Sequence, residues 1–363
     1  MSKKINCMAL SLLLAAAIGT TTEAVAQHKN GGKLTAPAAI DLPIGAKFPP
    51  LSGATGWINT QPLTAAGLRG KVVVVEFWTY TCINWRRTLP YVRAWAERYK
   101  DQGLVVIGVS TPEFSFEKDV DNVRRATKEM RMNFPVAMDN DYAIWQAFGN
   151  QYWPALYFID AQGHIRHHQF GEGNYEESEK VIQQLLAEAG AKGTSAELSP
   201  VEPSGAELAA DLSTLRSGET YVGYGRAENF SSSGGAVFDK QHVYAIPARL
   251  GLNQWTLSGD WTLRQEAAVL NKADGRVIYR FHARDVNLIL GPAKPGTSVR
   301  FRVLIDGQAP GAAHGVDVDS QGNGTVTKQG MYQLIRQPGP ITDREFAIEF
   351  LDPGAEAFDF TFG

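Results

Sequence analysis

Two patterns of apolar residues divide the chain. From Ile44 to Ala189, short continuous apolar runs alternate with stretches of helical period. Val72-Val73-Val74-Val75 and Leu104-Val105-Val106-Ile107 have the form of strands buried on both faces of a parallel sheet. Between them Leu89, Val92, Trp95, Ala96 and Tyr99 recur at helical spacing, and further helices are expected around residues 120–130 and 177–189. Leu156–Ile159 and Ile165–Phe170 flank the turn Asp160-Ala161-Gln162-Gly163, which predicts a hairpin. Strand, helix and strand followed by a hairpin and a closing helix make an α/β sandwich over residues 44–190. Residues 191–217 shift to Ala, Gly, Ser, Glu and Pro and read as a linker. Beyond it the period becomes two. Val299, Phe301, Val303 and Ile305 alternate with Arg300, Arg302 and Leu304, and Val277, Tyr279, Phe281 and Phe346, Ile348, Phe350 behave alike. With Gly and Pro punctuating every run, residues 218–363 predict an all-β, jelly-roll-like sandwich.

The N-terminus has the layout of a secretory signal: Lys3 and Lys4, the apolar run Met8 to Ile18, then Ala24-Val25-Ala26. That run is too short for a bilayer core needing about 20 residues. The expectation is therefore a signal peptide over residues 1–26, a flexible segment over 27–43, and a periplasmic or secreted product that does not span the membrane after cleavage. Cleavage would remove Cys7, so Cys82 becomes the sole cysteine and stability must come from packing. It also takes the formal charge of −3 down by one, and a mildly negative chain gives no electrostatic case for nucleic acid. Neither cofactor nor metal is expected: the seven His show no ligand spacing with Cys82, and His167 and His168 on one strand point to opposite faces.

Cys82 follows the first apolar strand and precedes a helical period, which puts its thiol at a helix N-terminus. There the partial positive charge favours thiolate, the reactive form. Arg86 and Arg87 either add to this effect or point to solvent. A buried structural cysteine is the other reading of the same spacing.

The run Phe77-Trp78-Thr79-Tyr80-Thr81-Cys82-Ile83-Asn84, with Arg87-Thr88-Leu89-Pro90-Tyr91-Val92 after it, resembles the thioredoxin-like periplasmic part of DipZ-type proteins. It is more loosely similar to TlpA-like thiol–disulfide oxidoreductases. The resemblance continues through Tyr152-Trp153-Pro154-Ala155 and Phe170-Gly171-Glu172-Gly173, and into the β-rich part at Asn253-Gln254-Trp255, Ser258-Gly259-Asp260-Trp261 and Ala313-His314-Gly315-Val316-Asp317. It implies a thioredoxin fold with a cis-proline, Pro154, beside Cys82. It also implies a second cysteine three residues after the first, and that position is Trp85. Without a resolving thiol, Cys82 can form a mixed disulfide or a sulfenic acid but cannot complete exchange alone. Glu76 matches the buried carboxylate that deprotonates the missing cysteine. Thr79 matches the peroxiredoxin threonine three residues before the cysteine, although Val75 stands where that motif has proline.

The expected function is thus single-cysteine chemistry on protein or small thiols, disulfides or peroxides, with an external reductant. Cys82 is the nucleophile, Pro154 shapes the groove, Thr79, Arg86 and Glu76 assist, and Trp85 and Trp153 contact substrate. The rival is a non-catalytic peptide-binding module whose β domain holds carbohydrate or another partner. Trp255, Trp261 and Tyr279 would be its stacking surface unless they are buried sandwich aromatics, the commoner outcome, and Asp317 and Asp319 a calcium or sugar site unless they are a solvated edge.

Overall fold

The computed structural model describes residues 40–193 and 195–363. The expected signal peptide, and the flexible segment up to residue 39, lie outside the described residues. The first part contains β1 (Gly56–Ile58), β2 (Val72–Trp78), α1 (Ile83–Tyr99), β3 (Leu104–Ser110), α2 (Val120–Glu129), β4 (Val136–Met138), α3 (Ala143–Ala147), β5 (Ala155–Ile159), β6 (Ile165–Phe170) and α4 (Tyr175–Glu188). Its sheet runs β1-β4-β3-β2-β5-β6. The pairs β2–β3 and β3–β4 are parallel, and β2–β5, β5–β6 and β1–β4 are antiparallel. Every residue of β2 is buried, because a central strand with helices on both faces has no wet side. Leu89, Val92, Trp95 and Tyr99 of α1 pack onto this sheet, as do Val181, Ile182, Leu185 and Leu186 of α4. This is a thioredoxin fold, with the expected hairpin at β5–β6.

The second part contains β7 (Thr220–Tyr221), β8 (Gln241–Tyr244), β9 (Trp255–Leu263), β10 (Ala268–Leu270), β11 (Gly275–Phe281), β12 (Asp285–Pro292), β13 (Val299–Ile305), β14 (Asn323–Val326), β15 (Gly330–Arg336), β16 (Arg344–Phe350) and β17 (Ala355–Phe362). One layer runs β14-β13-β16-β11-β9 and the other β9-β10-β17-β12-β15. The long strand β9 belongs to both: Trp255–Ser258 pair with β11, and Trp261–Leu263 pair with β10. The turn between layers falls at Gly259, where φ is +94° and a Cβ would stand 3.0 Å from the Gly275 backbone. Only glycine fits that corner. Rings from both layers meet inside, with Tyr279 5.0 Å from Phe360 and Phe346 5.8 Å from Phe360. Trp255, Trp261 and Tyr279 are fully buried in this core, so they offer no surface for stacking a sugar. Asp319 caps its own turn by accepting from the backbone of Gln321 and Asn323, the polar-edge role.

The two parts are packed together. In β12 every residue is buried, including the outward set Asp285, Asn287 and Ile289, because the thioredoxin fold covers that face. Ile289, Met331 and Phe358 form one apolar cluster with Ile83 and Phe114. Phe358 is the extra residue of a bulge in β17, where the register with β12 jumps from Asp359 to Ala357. A bulge re-aims a side chain, and this one sets Phe358 5.5 Å from Phe114 and 4.9 Å from Phe116. The connecting residues are tied down as well. Glu207 pairs with Arg93 of α1 at 2.8 Å, the Gly205 carbonyl accepts from Arg336 at 2.7 Å, and Ser199 N–H donates to Glu179 at 2.8 Å. Low apolar content marks this segment as a linker, and hydrogen bonds and ion pairs anchor it.

Candidate active site

Between β2 and α1 the chain turns through Thr79-Tyr80-Thr81-Cys82, and Cys82 is the N-cap of α1. Its N–H donates to the Thr79 carbonyl at 3.2 Å, and its own carbonyl accepts from Arg86 N–H at 3.0 Å. The helix N-terminus is therefore where the apolar pattern puts it. The acidified, accessible thiolate is not. Cys82 is 8% exposed, and burial pushes its thiol well above the usual value. The backbone N–H groups of Trp85 and Asn84 offset part of this, while the charges of Glu113 and Glu219 add to it. Helix dipoles act on whatever reaches them, but desolvation of a buried thiolate outweighs one helix end.

Glu76 and Trp85 meet below the thiol. Glu76 is fully buried, and burial raises its carboxyl to about 8, with the Trp85 indole beside it offsetting a little. Neither Glu76 oxygen makes a hydrogen bond within good geometry, nor does the Trp85 indole N–H. The Trp85 ring stacks on Trp78 with centroids 4.4 Å apart. It is 0% exposed, so the expected substrate contact is corrected: Trp85 is a core residue facing inward. Trp153 is corrected likewise. It is buried against Trp145 at 4.2 Å, and its indole N–H donates to the Thr111 carbonyl at 3.2 Å. The Trp153–Pro154 bond is cis, as expected.

Thr79 meets Cys82 through its backbone carbonyl, while its buried hydroxyl makes no hydrogen bond within good geometry. It lies against the Glu117 carboxyl, which accepts from Thr81 Oγ1 at 2.5 Å and from the N–H groups of Glu113 and Phe114 at 2.7 and 3.0 Å. Burial pushes Glu117 up to about 7, and the Thr79 and Thr81 hydroxyls restrain the rise. Arg86 donates to the Tyr80 carbonyl at 3.0 Å, and burial lowers its pKa; it stays within electrostatic range of Cys82 and of Asp317 in the β domain. Arg87, 2% exposed, bridges the two parts, 3.0 Å from Glu172 and 3.8 Å from Asp285.

Residues the sequence did not single out complete the junction. Tyr221 of β7 places its hydroxyl 2.5 Å from Glu113 Oε1 and 3.0 Å from Glu219 Oε2. Arg226 pairs with Glu113 at 2.8 Å and stands 3.6 Å over the Tyr221 ring. Asp359, fully buried, sits opposite Tyr221 in the strand register. Burial, then the charges of neighbouring acids, push both Glu219 and Asp359 above the carboxylate range. One signal was available: Glu113 and Glu117 follow β3, at the carboxyl end of a parallel strand, where open α/β sheets place their ligands. Period two in β17 hides Asp359, because an outward polar residue reads as solvated.

The AhpC/TSA family matches residues 44–168, and the thioredoxin-like C-terminal domain matches residues 217–363. Protein DipZ of Mycobacterium tuberculosis (strain CDC 1551 / Oshkosh) is 40% identical over 259 residues, 69% of this chain but 36% of DipZ. The chain thus spans about a third of that relative's length. The thiol-disulfide oxidoreductase YkuV of Bacillus subtilis (strain 168) is 30% identical over 141 residues, 39% of this chain and 95% of YkuV. Among solved structures, a thioredoxin-like protein in its oxidized form in solution is 31% identical, over 39% of this chain and 95% of that one, with a TM-score of 0.37. With YkuV matched almost end to end, and a DipZ-like sequence running on into the β domain, the chain belongs to the thioredoxin-like redoxin family.

Proposed function

We propose that the protein is an extracytoplasmic redox protein that exchanges Cys82 with thiols and disulfides through a single-cysteine cycle. The observation that carries this reading is Cys82 at the N-cap of α1, with helix N–H groups turned to its sulfur and Trp85 where a resolving thiol would stand. A disulfide brought to Cys82 is attacked by its thiolate; one S–S bond breaks as the mixed disulfide forms, and the departing sulfur leaves as thiol. An external thiol then releases Cys82, since Trp85 stands where a resolving cysteine would. Thiol–disulfide exchange is preferred over peroxide reduction because Val75 stands where the peroxidatic motif has proline and a thiol-disulfide oxidoreductase is matched over nearly its whole length. The signal-like N-terminus and the DipZ-type resemblance support export, and among the described residues no helix is long and apolar enough to cross a membrane. The first β-domain strand at Thr220 and the family match from 217 support a boundary near residue 217.

One observation favours a second reading. Burial of Cys82 suits a binding module whose cysteine is inert. The two part on one experiment: incubate the purified full chain with bis(2-hydroxyethyl) disulfide and follow intact mass. Exchange chemistry predicts one adduct, mapped to Cys82 and removed by a monothiol. A chain that stays unmodified over hours at pH 9 supports the inert module.

A further inference from the structure

Glu117 ties the turn that carries Cys82 to the connection after β3. Within the turn, Cys82 N–H donates to the Thr79 carbonyl at 3.2 Å and Arg86 Nε to the Tyr80 carbonyl at 3.0 Å. Both bonds stay between the turn and the helix it starts. Glu117 reaches the turn from outside. It lies in the short 3-10 helix Ser115–Lys118 and is buried, and its Oε1 accepts from Thr81 Oγ1 at 2.5 Å. Its Oε2 accepts from the N–H groups of Glu113 and Phe114 at 2.7 and 3.0 Å. One carboxyl thus joins the residue before Cys82 to the loop whose Phe114 packs with Ile83, the residue after Cys82.

The donors at this carboxyl fix which of its forms suits the turn. A carboxylate accepts from Thr81 and from both N–H groups at once. A carboxylic acid does not: two N–H groups already occupy Oε2, so the acid proton must sit on Oε1 and point at Thr81 Oγ1. Thr81 would then accept, and its own hydroxyl proton, on a fully buried side chain, would lose its acceptor. Thr79 Oγ1, also buried and without a hydrogen bond in good geometry, lies beside the same carboxyl and has the same need. Hydrogen bonding therefore favours the ion, while burial opposes it and pushes the carboxyl up to about 7. The other titratable and charged groups here are Glu113 of the same loop, Tyr80 and Cys82 of the turn, and Arg86, Asp119 and Arg125 around Tyr80.

We propose that Glu117, as its carboxylate, is the positioning residue for Cys82. It holds Thr81 in place and so keeps the Cys82 sulfur aligned with the first N–H groups of α1 for attack on a disulfide. Glu117 acts through Thr81 and takes no part in the covalent step. Protonation frees the Thr81 end of the turn and lets the sulfur leave that alignment. The inference rests on the exchange activity proposed above and adds the group that aligns its nucleophile.

The test is the rate at which 2,2′-dithiodipyridine modifies Cys82 in the full chain, read from the released thione, for wild type and Glu117→Gln. Gln has the shape of the neutral acid and offers the same kind of donor to Thr81. The two proteins should react alike at about pH 5.5, and wild type should be about tenfold faster at about pH 8.5, the scale of one hydrogen bond to a charged group. Loss of a negative charge by itself would ease thiolate formation and speed the variant at high pH, the opposite sign. Thr81→Val should behave as Glu117→Gln does, and Thr81→Ser, which keeps the hydroxyl, as wild type. That pair decides the matter if Glu117→Gln does not fold. A ratio of wild type to Glu117→Gln that is constant across the range, or below one at high pH, overturns the inference. So does a Thr81→Val chain that matches wild type at both ends. A wild-type Cys82 left unmodified at every pH would sink the exchange reading, and this inference with it.

Discussion

Glu76 and Trp85 fill the space beneath the thiol in which a two-cysteine cycle would be resolved. A carboxyl raised to about 8 by burial makes the fold sensitive to pH in a definite direction. Below about 4.5 it is neutral both folded and unfolded. Between there and about 8 the unfolded chain ionises while the folded one holds its proton, so stability falls as pH rises through that window. Glu76→Gln keeps the neutral shape and cannot ionise. Its melting temperature should match wild type near pH 5 and exceed it by a few degrees at pH 8, at ~2–4 °C per kcal/mol. An offset independent of pH would show that Glu76 is solvated. Trp85→Cys restores the two-cysteine spacing, but it also empties a fully buried indole stacked on Trp78. Replacing a large core aromatic by a small side chain costs ~3–5 kcal/mol. The variant should therefore unfold at clearly lower denaturant, and a disulfide in it should recover part of the loss. Sequence named Trp85 and Glu76 as a pair but not their direction, because the i, i+3 spacing alone does not say which way an indole turns.

At the scale of elements, the strands and helices with strong periodicity are where the apolar pattern puts them: β2, α1, β3, α2, the β5–β6 hairpin and α4. Short pieces such as β1, β4 and α3 have too few residues to establish a period. In the segment from 191 to 217 composition reports on apolar burial alone. Its anchors are Glu207, the Gly205 carbonyl and Ser199, and polar anchors carry no pattern along the chain. Cleavage at Glu207 by a glutamate-specific protease should accordingly be slow in the native protein. Arg93→Ala, which removes the 2.8 Å partner of Glu207, should speed it about 2–5-fold, as befits a partly exposed ion pair. Cleavage that is fast in wild type and indifferent to Arg93 would restore the loose linker. In β12 and β17 the alternation is read correctly and its meaning is not: Asn287, Asp359 and Thr361 point outward from the sandwich, but outward is into another domain.

For the whole molecule, the fold of each part is legible in its own residues, while the contact between them is legible in neither. Cys82, Glu113 and Arg87 come from the first part, and Glu219, Tyr221, Asp285 and Asp359 from the second. Electrostatic range, an ion pair and a shared apolar cluster bring them together. A helix N-terminus read in isolation predicts a reactive thiolate; burial at the same terminus pushes the Cys82 thiol up. The account therefore stands on whether burial keeps Cys82 protonated at neutral pH. The direct measurement is the rate of Cys82 alkylation by iodoacetamide on the native full chain across pH 6 to 10, read by intact mass. The account predicts slow modification at pH 7 and a rate still climbing above pH 8.5, the value near which a free thiol titrates. Rapid modification at pH 7, levelling off well below that value, would contradict it.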